Sequence, residues 1–97
     1  MNINDKRNEI DRIDAEIVEL LARRFAIAKE IGGLKAAAGL AVADGAREDE
    51  VISLAVRRSN GRLSESAIRS MMVMILAESR RLQSDVCAEQ LDAGAAV

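Results

Sequence analysis

Residues 10–35 read IDRIDAEIVELLARRFAIAKEIGGLK. At 100° per residue, Ile10, Ile13, Ile17, Leu20, Leu21, Ile27, Ala28 and Ile31 form one apolar stripe of a helix. Arg24 and Lys35 fall near the midline of that stripe, where only apolar side chains belong. Three helical turns separate them, so they project from one face roughly 16 Å apart. Burying two cations without an anion costs several kcal/mol per ion. No acidic residue shares the midline between them, so the compensating anion is expected from outside the helix.

Outward from this stretch, the chain predicts three helices. The first spans about 5–38, with Asn4 as N-cap, Asp5 in the first turn, Lys35 in the last and Gly39 as the C-terminal stop. Such a helix is roughly 50 Å long. Gly32 and Gly33 inside it each cost about 1 kcal/mol against alanine, which points to a close helix contact. Residues 40–43 connect to a short second helix, capped by Asp44 and ending near Arg58, with Val51, Leu54 and Ala55 inward. Ser59-Asn60-Gly61-Arg62 reads as a turn. A third helix of medium length opens at Ser64, with Leu63 and Ile68 placed as a hydrophobic staple. Its inner face is Ile68, Met71, Met72, Ile75, Leu82 and Val86. Residues 1–87 read as one domain, and 88–97 as a tail that loses the pattern and frays.

Composition agrees with an all-α domain. The 97 residues include one Phe and no Tyr, Trp or Pro, and the net charge is −2. That balance and the missing aromatics argue against nucleic acid as a partner. No apolar run approaches the ~20 residues of a membrane span. The first residues, Met1-Asn2-Ile3-Asn4-Asp5, have no signal-peptide core, so a cytoplasmic location is expected. Cys87 is alone and cannot form an internal disulfide. The first helix is too long to bury its stripe against two shorter ones of its own chain, so a homodimer is expected.

Other polar residues interrupt inner faces. Ser79 lies within the Ile68, Met72, Ile75 and Leu82 face, Gln83 stands on its shoulder, and Arg47 and Glu48 flank the Val51 direction. Each has an ordinary structural role open to it. Arg24 can snorkel, Lys35 can serve as a helix C-terminal cation, and Asp44 can act only as a cap. Ser79 can bond back to its own helix, Gln83 can face solvent, and Arg47 and Glu48 can form a solvated pair. Jointly they describe an enclosed cationic pocket suited to a small dicarboxylate.

The chain has no histidine, no nucleophile beside a base and no metal-ligand cluster. Acid–base work would rest on Glu48 alone. What remains is chemistry served by positioning and electrostatics, such as a unimolecular rearrangement of an anion, or simple anion binding.

In order and spacing, five segments resemble the all-helical (AroQ-class, type II) chorismate mutase family. They are R-x-x-I-D-x-I-D at 7–14, L-L-A-R-R at 20–24, I-G-x-L-K at 31–35, V-x-D-x-x-R-E at 42–48 and E-S-x-x-x-Q at 78–83. The resemblance implies an intertwined homodimer that converts chorismate to prephenate by a [3,3] pericyclic shift without cofactor or metal. It implies that Arg24 binds one substrate carboxylate and Arg7 of the other subunit binds the second. Lys35 and Gln83 would meet the ether oxygen from opposite sides. Glu48 would accept from the C4 hydroxyl, helped by backbone near Asp44, with Arg47 and Ser79 completing the contacts. Two departures, Leu40-Ala41 before Val42 and Gly45 after Asp44, imply a looser loop over the site and leave room for an activating partner enzyme of the shikimate pathway. Rival substrates within the fold are 4-amino-4-deoxychorismate and isochorismate, the latter losing pyruvate. The rival outside it is a non-catalytic helical dimer that binds an acidic metabolite or a partner helix.

Overall fold

The computed structural model describes residues 2–95, and these form an all-α chain. Three helices follow in order: α1 (Ile3–Ala38), α2 (Gly45–Ser59) and α3 (Glu65–Ala95). No helix among the described residues is long and apolar enough to cross a membrane.

Local chemistry explains most of the boundaries. Asn2, not Asn4, caps α1: its side chain accepts from the Asp5 amide at 2.9 Å. Both asparagines suit a cap, and the earlier one adds Ile3 and Asn4 to the helix. Gly39 ends α1 in the left-handed region at φ 69°, and Leu40 N–H returns to the Lys35 carbonyl at 2.8 Å. This six-to-one closure satisfies carbonyls that the helix end leaves open. Asp44 caps α2 through Arg47 N–H at 3.0 Å. Beyond α2, Asn60 and Gly61 both take positive φ, and the Arg62 guanidinium donates back to the Ser59 and Arg58 carbonyls. Ser64 caps α3 by accepting from Ala67 N–H.

Two expectations change. Of the expected staple pair, Ile68 is buried while Leu63 stays largely exposed. The stretch expected to fray from Ala88 is helical to Ala95, so α3 reaches 31 residues, between the 15 of α2 and the 36 of α1. Ala, Glu, Gln and Leu are good helix formers, and no proline interrupts them. Docking persists there too, since a Cβ on Gly33 would lie 3.0 Å from the Gln90 amide nitrogen. Residues 96–97 of the expected tail lie outside the described residues.

α3 packs along α1, and α2 packs on α3. The core is small, with Ala28, Ile68 and Leu76 as its buried apolar residues. It sits on the C-terminal half of α1, whereas residues 2–20 are exposed throughout. The chain is accordingly drawn out to 63 × 27 × 15 Å. Its radius of gyration is 17.4 Å, against about 12.5 Å for a compact domain of this length. Ile10, Ile13, Ile17 and Leu20 therefore stay exposed among the described residues.

Candidate active site

Where the three helices converge they enclose a cavity of about 340 Å³. α1 lines it with Arg24, Ala28, Ile31 and Lys35, which recur at helical spacing on one face. The connector brings Val42 and Asp44, and α2 brings Arg47, Glu48 and Val51. Leu76, Ser79, Arg80 and Gln83 of α3 close the other side. Arg24, Lys35, Asp44, Arg47, Glu48, Ser79 and Gln83 are thus gathered in one place.

The two cations that α1 places on the cavity wall have neutral partners. Arg24 donates to Ser79 Oγ at 2.6 Å, and that hydroxyl donates in turn to the Ile75 carbonyl at 3.0 Å. Ser79 therefore bonds back to its own helix and also serves the pocket. Lys35 Nζ donates to the Val42 carbonyl at 2.8 Å, which ties the connector to α1. Among the described residues neither cation takes part in a salt bridge. Both keep charge available for an anion in the cavity.

The carboxylates are already engaged. Asp44 Oδ1 accepts the Arg47 amide, so its cap role and its place on the cavity wall coincide. Glu48 does not pair with Arg47. Arg47 turns outward to Glu50 at 2.6 Å, while Glu48 forms a close ion pair with Arg80. Arg80 was not among the residues singled out from the sequence. Its signal is nevertheless there: Leu76, Arg80 and Gln83 stand at i, i+4 and i+7 on one face of α3.

Gln83 is buried, and its Oε1 has no hydrogen-bond partner among the described residues. An unmet buried acceptor costs about 1–3 kcal/mol, so this amide stands ready for a ligand. Glycine sets its position. A Cβ on Gly32 would lie 2.8 Å from Gln83 Cα, so α1 and α3 touch backbone to backbone at this point. Cys87, the last residue of the expected domain, is half-buried in the same contact and donates from Sγ to the Gly32 carbonyl at 3.3 Å. On the outer face, Arg81 donates to Glu78 and holds that carboxyl below its ordinary value of 4.5. The same hydrogen bond raises Arg81.

Arg7 is not in this cavity. It lies seventeen residues before Arg24, roughly 26 Å along α1. There it borders a shallow depression with Asn2, Ile3 and Asn4.

The cavity lining counts four cations, Arg24, Lys35, Arg47 and Arg80, against the carboxylates of Asp44 and Glu48. That excess suits a small polyanion held by fixed donors. The sequence profile of the chorismate mutase type II family matches residues 6–84. The bifunctional chorismate mutase/prephenate dehydratase of Aquifex aeolicus (strain VF5) is 42% identical over 55 residues, which are 57% of this chain. The chain spans 15% of that relative's length. No solved structure is matched. With the matched span covering all of α2, most of α1 and α3, and every residue of the cavity, the chain belongs to the chorismate mutase type II family.

Proposed function

We propose that the chain rearranges chorismate to prephenate as a homodimer, without metal or cofactor. One observation carries the reading: Arg24 and Lys35 have only neutral partners and face the same cavity as Glu48 and the unsatisfied Gln83. Arg24, steadied by Ser79, binds a substrate carboxylate. Lys35 Nζ and the Gln83 amide address the ether oxygen, and Glu48 accepts from the C4 hydroxyl near the Asp44 backbone. Arg47 adds positive potential at the rim.

In the [3,3] shift the ether C–O bond breaks as the new C–C bond forms, and no proton changes hands. Negative charge builds on the ether oxygen on the way to the transition state. Donors fixed at that oxygen bind the transition state better than the substrate, which is what accelerates the reaction. Holding the two ends of the flexible substrate close together supplies the rest.

A second copy completes the site in this reading. The isolated chain exposes 7352 Å², whereas a monomeric protein of 10.5 kDa exposes roughly 5,400 Å². The excess coincides with the uncovered Ile10, Ile13, Ile17 and Leu20 row. Covering that row with the partner's helices carries the partner's N-terminal segment toward the cavity, and Arg7 with it, to bind the second carboxylate.

The test is to offer the purified protein chorismate, 4-amino-4-deoxychorismate and isochorismate separately. Turnover of chorismate alone, or far above the others, is the expected result. Silence with all three would leave a non-catalytic anion-binding dimer.

A further inference from the structure

We infer that Arg80 determines the substrate class at C4, by pairing with Glu48 so that the pocket accepts a hydroxyl and rejects an ammonium. The inference rests on the proposed placement of Glu48 at C4. Chorismate and its 4-amino-4-deoxy analogue differ only there, one bearing a neutral donor and the other a cation. A site for the cation needs a carboxylate whose charge is unspent.

Glu48, the carboxylate proposed at C4, already has its charge matched by a cation, whereas Asp44 takes only a neutral amide as the cap of α2. Asp44 Oδ1 is occupied by the Arg47 amide, and one oxygen of Glu48 is held by the Arg80 guanidinium. The Glu48 and Arg80 side chains are 24% and 41% exposed, so the pair is only partly screened by water. Its net charge is zero. A hydroxyl can donate to the second oxygen of Glu48 without disturbing that balance. An ammonium would be desolvated beside the Arg80 cation, with its intended counter-ion already shared. Arg80 thus supplies the repulsive element that discrimination between close analogues requires. The pair also ties α2 to α3 and fixes the direction of the Glu48 carboxylate. Arg47 cannot take this part, because its guanidinium is turned out to Glu50.

The test compares the parent with Arg80→Met and Arg80→Lys, reading KM for chorismate and the inhibition constant of the amino analogue in the same assay. In Arg80→Met the ratio of the two constants should move toward the amine by about tenfold or more, the effect of removing one partly screened like charge. Arg80→Lys keeps the cation and should keep the parent's preference. If Arg80→Met shows little helical circular dichroism, Arg80→Gln makes the same comparison. An unchanged ratio in a folded, active variant overturns the role of Arg80 while leaving the proposed activity standing. A folded parent inert toward chorismate overturns the activity itself, and this inference with it.

Discussion

Gly32 and Gln83 meet without an intervening side chain: a methyl group on Gly32 would lie 2.8 Å from Gln83 Cα and 3.0 Å from its carbonyl oxygen. Gln83 is therefore aimed into the cavity by the backbone of α1. Gly32→Ala gains about 1 kcal/mol of helix propensity but forces apart two backbones, at a cost of about 1–3 kcal/mol. The displaced group belongs to the proposed site, so kcat should fall more than the melting temperature does. Gly33→Ala is the control, because its Cβ would meet only the end of the Gln90 side chain and a distant Val86 methyl. Thermal melts and steady-state kinetics on both variants check the difference.

Lys35→Ala removes the donor that the proposed mechanism places at the breaking ether bond. Loss of one such donor lowers kcat by about 10²–10³. Lys35 spans only from α1 to the Val42 carbonyl, so the fold loses a single hydrogen bond. A kcat equal to the parent's would contradict the assignment.

Arg24→Ala separates binding from stability. The side chain is part-buried, and its partner Ser79 keeps its bond to Ile75 when the guanidinium is gone. Relief of an unpaired, partly buried charge should leave the melting temperature unchanged or raise it, while KM for chorismate rises. A large fall in melting temperature with normal kinetics would make Arg24 a structural residue.

The fold and most of the site could be read from sequence because their determinants are local. Gly39, Asp44 and Ser64 mark helix ends through their own backbone and side-chain chemistry. Arg24, Lys35, Ser79 and Gln83 stand out as polar interruptions of apolar faces, and the cavity lies where those faces meet. What escaped is non-local or nearly degenerate. Asn2 and Asn4 are equivalent caps to a reader of sequence. The Glu48–Arg80 pair depends on how α2 docks on α3, and a nearby Glu50 drew Arg47 away from Glu48. The C-terminal third of α3 lacks apolar periodicity, yet Gln90 still lies against Gly33.

The contribution of Arg7 can be tested by mixing two impaired proteins, assayed at chorismate concentrations too low for either to turn over alone. Arg7→Ala and Arg24→Ala dimers, unfolded together and refolded, should form hybrids in which one site keeps both arginines. Random pairing then restores roughly a quarter of the parental sites. No recovery after verified subunit exchange would place the second carboxylate ligand elsewhere. The same samples report the assembly: sedimentation equilibrium should give a dimer for the parent, and Ile13→Glu should shift it toward monomer by charging the uncovered row.

The most direct measurement follows chorismate in metal-free buffer with only the purified protein added. Chorismate should disappear at a rate proportional to protein concentration, with prephenate appearing in equal amount, and Lys35→Ala should abolish nearly all of that rate. Chorismate consumed no faster than in buffer alone, by a protein shown to be folded and dimeric, would contradict the account.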